Sequence, residues 1–286
     1  MNHAKRLREL INSNHMIKAP GAPDAYTAKL IENAGFDVCY MGGNAAVASM
    51  LGIPDIGLAT FDDMLRHGRN IAAAIDIPLI CDADTGYGNV NNVIRTVQLF
   101  EQAGVAGIHL EDQVTPKKCG AMDGVEVISI EESVKKIQAA IHARKNDDFL
   151  IIARTDSRSA LGFEEAIKRV KAFEKAGADM VYIEMLQSKS EIKELVEAVN
   201  IPVVYDVLEP DHDKHVSAEE LREIGVKLAI YPLFSSFLIG KTLKDFFTEL
   251  YETESPVNYF DRMLSLKEYE GIMGVDGEVE VRKRFG

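Results

Sequence analysis

One phrase recurs through this chain: a charged, amphipathic run that ends at a glycine and passes at once into an apolar run. It reads NAGFDVCYMGG (33–43), QAGVAGIHLED (102–112), KAGADMVYIEM (175–185) and EIGVKLAIYPL (223–233). Glycine takes the left-handed conformation that closes a helix, and the branched apolar run after it suits a strand covered on both faces. Each phrase therefore predicts a helix-to-strand junction in a parallel sheet. Between them come IPLICDAD (77–84) and IPVVYDV (201–207), each led by a proline, together with FLIIARTD (149–156) and the opening MIKAP (16–20). In chain order the strands fall near residues 16, 38, 78, 107, 149, 180, 202 and 228. Helical patterns fill 24–34, 61–75, 90–103, 131–144, 164–176, 189–199, 217–224 and 235–252. Eight alternations of strand and helix favour an α/β fold of the (β/α)8 TIM-barrel type over an open doubly wound sheet.

No linker rich in Gly, Pro or Ser divides the 286 residues, so a single barrel domain over 1–286 is expected. The stretch 255–286 exceeds what eight units need, and it either caps the barrel or packs on a partner subunit. With 47% hydrophobic and 27% charged residues the chain is no disordered or collagen-like polymer. Its net charge of −13 repels phosphate backbones and anionic lipids, so neither nucleic acid nor membrane is an expected partner. Three cysteines, Cys39, Cys81 and Cys119, are too few for a disulfide framework and lack the C-x-x-C spacing of zinc sites. No signal-peptide core and no run of roughly 20 apolar residues is present, and a reducing cytoplasm is the expected location.

In such a barrel the chemistry sits at the C-terminal ends of the strands. Strand three ends in Asp82-Ala83-Asp84, whose period of two puts both carboxylates on one side. Strand four ends in Glu111-Asp112 beside it. Hard carboxylate oxygens with no histidine among them suit Mg2+ or Mn2+ better than zinc, although singly such acids are as often caps of the following helix. Strand five ends in Arg154-Thr155-Asp156; the guanidinium suits a substrate carboxylate, or pairs with Glu184 at the end of strand six.

The segment after Glu111-Asp112-Gln113 has no helical period. This loop, 113–129, is a lid candidate carrying Lys117, Lys118, Cys119 and Gly120. A thiol beside two lysines is expected to have a lowered pKa, whereas Cys39 and Cys81 lie in apolar runs and read as core. Gly42-Gly43-Asn44 either offers backbone N–H groups to an anion or forms a tight turn. His212 and His215 have a metal-pair spacing, but EPDHDKH reads first as a solvated loop.

The set YMGG, GIPDIGLAT, DADTGYGN, LEDQVTPKKCG and ARTD, in this order and spacing from about residue 16 to 265, strongly resembles the isocitrate lyase and phosphoenolpyruvate mutase superfamily, in its branch of methylisocitrate and dimethylmalate lyases. The EDQ and KKCG elements point to the carbon–carbon lyases within it. The resemblance implies a (β/α)8 barrel whose last helix is exchanged between subunits, usually in a dimer of dimers. It implies Mg2+ held by Asp82 and Asp84, with Glu111 in the water shell and Asp55 nearby. Arg154 would bind a substrate carboxylate, with Glu184 close to it; Tyr40, Gly42, Gly43 and Asn44 would hold the pyruvate-like end, and Gly120 and Asp206 would complete the substrate pocket. Cys119 would protonate the carbanion, with Lys117 as its activating neighbour.

The resemblance thus implies cleavage of a 2-hydroxy di- or tricarboxylate to an α-keto acid such as pyruvate plus a carboxylate. Three positions depart from the family pattern: Ala121 in place of a histidine, Gly42 in place of Ser or Thr, and Asp206 in place of Asn. Alanine offers no hydrogen bond and ionised aspartate repels a carboxylate, so a smaller or less charged substrate is expected. Two rival readings are an oxaloacetate hydrolase or decarboxylase, or a phosphonopyruvate enzyme, on the same scaffold, and a homologue that binds metal and carboxylate without catalysis.

Overall fold

The computed structural model describes residues 2–208 and 215–286. Eight parallel strands form one sheet: β1 (Ile17–Pro20), β2 (Cys39–Met41), β3 (Leu79–Asp82), β4 (Gly107–Leu110), β5 (Leu150–Thr155), β6 (Met180–Ile183), β7 (Val203–Asp206) and β8 (Leu228–Tyr231). Their order runs from β1 through β8 and back down to β2, so first and last strands pair side by side. The remaining seam between β1 and β2 is closed by a parallel bridge from Gly21 to Tyr40, with the Ala22 N–H donating to the Tyr40 carbonyl at 2.8 Å. The (β/α)8 barrel and all eight strand positions agree with the sequence reading.

The helices are α1 (His3–Asn12), α2 (Ala25–Asn33), α3 (Gly43–Leu51), α4 (Phe61–Ala74), α5 (Val90–Gln102), α6 (Ile130–Ala143), α7 (Ser157–Leu161), α8 (Phe163–Ala176), α9 (Lys189–Ala198), α10 (Ala218–Ile224), α11 (Phe234–Thr253), α12 (Leu266–Met273) and α13 (Val275–Phe285). The short α3 and α7, lying between a strand end and the next barrel helix, were not expected, nor was α1. Leu7 and Ile11 of α1 join the cluster that fills the barrel interior, so α1 plugs the barrel at the end away from the strand C-termini.

Alternation along the strands sorts the side chains into two layers. Ile80, Leu150, Ile152, Met180, Tyr182, Val204 and Ile230 fill the interior, whereas Leu79, Cys81, Ile108, Ile151, Ala153 and Val181 pack outward against the helices with Phe100, Phe149 and Phe173. Each fully buried side chain of this size contributes about 1.5–3 kcal/mol. The same alternation carries Tyr40, Asp82, Glu111, Arg154, Glu184 and Asp206 inward at the strand ends.

The C-terminal helices differ from the rest. No residue of α11, α12 or α13 is buried, and α11 exposes Phe237, Leu238 (70%), Leu243, Phe247 and Tyr251 (88%). No helix among the described residues is long and apolar enough to cross a membrane. The His212 and His215 pair cannot be placed, because His212 lies outside the described residues.

Candidate active site

A cavity of about 410 Å³, open to solvent, lies at the C-terminal ends of the strands. It brings together Tyr40, Gly42, Gly43, Asn44, Asp55, Asp82, Lys117, Cys119, Gly120, Arg154, Glu184 and Asp206 from segments far apart in the chain. Asp84 and Glu111 are buried behind this lining.

On one side the acids are compensated. The Lys117 ammonium lies 2.7 Å from Asp84 Oδ1 and 2.9 Å from Asp55 Oδ1. Asp82 accepts the Gly43 N–H at 3.0 Å and the Asp84 N–H at 2.9 Å. Asp84 reaches the mouth by a turn with φ 47°, not by continuing the strand as its spacing suggested. The Gly43 N–H is thereby committed to Asp82. A Cβ on Gly43 would stand 2.7 Å from Asp82 Oδ2, so only glycine allows this approach.

Glu111 differs. It is 3% exposed and neither carboxylate oxygen has a hydrogen-bond partner among the described residues; the nearest guanidinium atom, Arg154 Nε, is 3.6 Å from Oε2. Burial pushes its pKa well above the ordinary carboxylate range, against the pull of Lys117. Asp112, the next residue, faces the helices. It accepts bonds from the Thr155 hydroxyl at 2.6 Å, the Asp156 N–H at 2.9 Å and Arg169 Nη1 at 2.8 Å. Of the four carboxylates at these two strand ends, Asp82, Asp84 and Glu111 face the mouth and Asp112 does not, which corrects the expectation for Asp112. The capping alternative also fails, because α5 is capped by Asn89 and α6 by Ser129.

Among the described residues no three His, Cys, Asp or Glu side chains are drawn close enough to enclose an ion by themselves. Mg2+ retains several waters and needs only one or two carboxylates. The unpartnered oxygens of buried Glu111 beside Asp82 suit such an ion, so the donor set fits.

The loop 113–129 is folded over the mouth. Val114 N–H donates to the Glu126 carbonyl at 2.8 Å, Gln113 Nε2 donates to the Lys118 carbonyl at 2.8 Å and to Asp156, and the Cys119 N–H donates to the Asp55 carbonyl at 2.9 Å. Gly120 lies so close beneath that a Cβ would stand 2.5 Å from Arg154 Nη2 and 2.6 Å from Glu184 Cγ.

This geometry overturns the expected activation of Cys119. Neither neighbouring lysine turns toward the thiol: Lys117 is held by Asp55 and Asp84, and Lys118 Nζ donates to the Asp123 carbonyl at 3.4 Å. Burial raises the thiol pKa above its ordinary value, with a bond from Asn44 and the Ala121 backbone drawing it partly back. Cys119 is a protonated thiol, suited to giving a proton.

Arg154 is buried and shared. Its Nε donates to Asp156 Oδ1 at 2.7 Å, its Nη2 donates to Asp156 Oδ2 at 3.1 Å and lies 3.5 Å from Glu184, and its guanidinium stands over the Tyr182 ring at 5.2 Å. The expected pairing with Glu184 is present, and Asp156 adds a closer one that was not expected. The sequence reading missed Tyr182, whose hydroxyl donates to Glu184, and His109, whose Nε2 meets the Tyr40 hydroxyl at 2.7 Å. Burial holds the His109 imidazole neutral, down to about 4. It also missed the apolar wall of Leu208, Pro232 and Leu233. Each sits in or beside an apolar run that reads as core, and only strand register reveals it. Of the three departures from the family pattern, Gly42 and Asp206 line the cavity, while Ala121 is exposed outside it.

The model of the phosphoenolpyruvate phosphomutase family matches residues 7–250. A 2,3-dimethylmalate lyase of Eubacterium barkeri is 42% identical over 285 residues, covering 100% of this chain and 99% of that protein. A 2-methylisocitrate lyase of Aeropyrum pernix is 37% identical over 268 residues, covering 94% and 86%. The crystal structure of a 2,3-dimethylmalate lyase superposes with a TM-score of 0.94 at 31% identity, covering 100% of this chain and 96% of that one.

Proposed function

Because the chain belongs to the phosphoenolpyruvate phosphomutase family, and its mouth carries a protonated thiol where a carbanion would form, we propose that it is a Mg2+-dependent carbon–carbon lyase acting on a 2-hydroxy dicarboxylate or tricarboxylate. The observation that carries this is the raised, partly buried Cys119 held over the mouth by its N–H bond to Asp55.

Asp82, Asp84 and Glu111 would hold the cation, with Asp55 close by. When bound, Mg2+ supplies Lewis acidity that lowers the pKa of the substrate 2-hydroxyl. Arg154, pinned by Asp156 and beside Glu111, would fix a substrate carboxylate. Tyr40, Asn44 and the backbone at Gly42 and Gly43 border the space for the α-keto acid. As the bond between the hydroxyl-bearing carbon and its neighbour breaks, the electron pair passes to the departing fragment as an enediolate, and the Cys119 thiol delivers a proton to that carbon. The mouth carboxylates are the bases available for the hydroxyl proton. The lid over the cavity, tied down through Cys119 and Gln113, keeps water from the enediolate.

The purified chain with Mg2+ and a panel of 2-hydroxy acids is expected to release pyruvate or another α-keto acid, read by a coupled dehydrogenase. Absence of release from every member, with Mg2+ bound by calorimetry, would overturn the reading.

The exposed apolar face of α11 supports an exchange of this helix between copies, in a dimer or dimer of dimers. Three free thiols suit a reducing cytoplasm.

A further inference from the structure

Asp206 ends β7, and in the eight-stranded order β7 lies across the barrel from β3, which ends in Asp82. Its side chain is 5% exposed and lines the cavity, and its Oδ2 has no hydrogen-bond partner among the described residues. The groups acting on it are Arg154, Tyr182, whose hydroxyl is also given to Glu184, Asp156 and Glu184 itself. Among the described residues, the two basic side chains that line this cavity already have acid partners: Lys117 pairs with Asp55 and Asp84, and Arg154 with Asp156. Burial pushes both Glu184 and Asp206 upward, with Arg154 drawing each partly back. The unpartnered Oδ2 of Asp206 remains an open acceptor. Beyond them the wall turns apolar at Leu208, Pro232 and Leu233.

A buried acceptor without a donor is costly, and a second carboxylate brought against it is costlier still. On the lyase reading, the Asp82 side takes the carbon that becomes the α-keto acid, so the Asp206 side meets the substituent on the departing carbon. We propose that Asp206 is a specificity-determining residue whose open oxygen receives a hydrogen-bond donor, a hydroxyl or an ammonium, carried by the departing fragment, and that it turns away substrates presenting a carboxylate there. This rests on the lyase reading and narrows its substrate class to dicarboxylates with a donor-bearing or small side group.

The test is a matched series of 2-methylmalates differing only at C3: methyl, hydroxymethyl, aminomethyl and carboxymethyl. In each, the C2–C3 bond breaks, C2 becomes the carbonyl of pyruvate, the 2-hydroxyl loses its proton and C3 gains one, so one pyruvate assay reads all four. The unsubstituted protein is expected to show kcat/KM for a donor-bearing member at least about tenfold above the methyl compound, and for the carboxymethyl member about a hundredfold below it. In Asp206→Asn the carboxymethyl member is expected to gain at least about tenfold relative to methyl, as the donor preference shrinks. Ratios within one protein do not depend on the folded fraction, and Asp206→Ser provides a second variant. Pyruvate release with the same ranking in both variants as in the parent, or a parent that prefers carboxymethyl, overturns this inference alone. No release from any of the four overturns the lyase reading and this inference with it.

Discussion

Glu111 and Asp112 are neighbours in sequence, alike in charge and nearly alike in burial, at 3% and 1% exposed. They belong to different regions of the barrel. Asp112 lies in the layer between strands and helices, where Thr155, the Asp156 N–H and Arg169 satisfy it. Glu111 lies in the mouth with both oxygens unpartnered. Asp206 repeats the mouth pattern on the far side. Burial is common to both regions, and satisfaction separates them. The outer layer uses an acid to hold helix to strand; the mouth leaves Glu111 and Asp206 short of partners, a cost that persists only where a ligand repays it.

If that division is right, removing a mouth group should cost turnover and leave the fold alone. Cys119→Ser is expected to lower kcat by about 10²–10⁴-fold, the range of a lost proton donor, with the melting temperature within a few degrees of the parent. The pH profile sharpens the point. A thiol that must be protonated to act, and whose pKa is raised, stays competent to higher pH, so the alkaline limb of kcat should lie above about 8.5, the value of an unperturbed thiol. A limb below that value would mean that the thiol loses its proton early, as its two neighbouring lysines in the sequence suggest.

The outer layer should behave in the opposite way. Asp112→Asn removes the buried charged partner of Arg169, itself 3% exposed, and leaves it only the less buried Glu165, so it is expected to cost about 3 kcal/mol in urea unfolding, the penalty of breaking a buried pair. The Mg2+ affinity of the folded variant should equal that of the parent. A variant of normal stability with weakened Mg2+ binding would return Asp112 to the metal site and dissolve the distinction.

The division was only partly legible in the sequence. The helix-glycine-strand phrases located four of the eight strands and the apolar runs between them the other four, because a buried parallel strand must be apolar on both faces. That same two-faced burial hides which way a strand-end residue points. In VAGIHLED nothing in the residue types says that Glu111 faces in and Asp112 out; the register of β4 against β5, which pairs Leu110 with Ala153, decides it. Tyr182 and His109 are invisible for the same reason, being polar only at their tips within apolar runs. The error over Cys119 has another origin. Adjacency placed two ammonium groups beside the thiol, but a lysine stem reaches several ångströms, and Lys117 spends its reach on Asp55 and Asp84. The family motifs found the mouth; they did not find the charge arrangement inside it.

The smallest expected effect is also the most direct test of unsatisfied acids. Glu111→Gln keeps the shape of the side chain and removes the charge that burial disfavours. In Mg2+-free buffer with a chelator, the variant is therefore expected to be at least as stable as the parent, by up to about 1 kcal/mol, since an uncharged amide in that place costs less than a carboxylate without partners. Added Mg2+ should reverse the order. The parent gains stability as RT ln(1 + [Mg2+]/Kd), about 2.7 kcal/mol at a hundredfold excess over Kd, while a variant whose affinity has fallen by about 10–100-fold gains much less. Thermal melts with and without Mg2+ over a concentration series read both halves of the crossing. If Glu111→Gln is destabilised by several kcal/mol without metal, Glu111 is as structural as Asp112. If the two melts stay parallel as Mg2+ rises, Glu111 contributes nothing to the cation, and its open oxygens face the substrate instead.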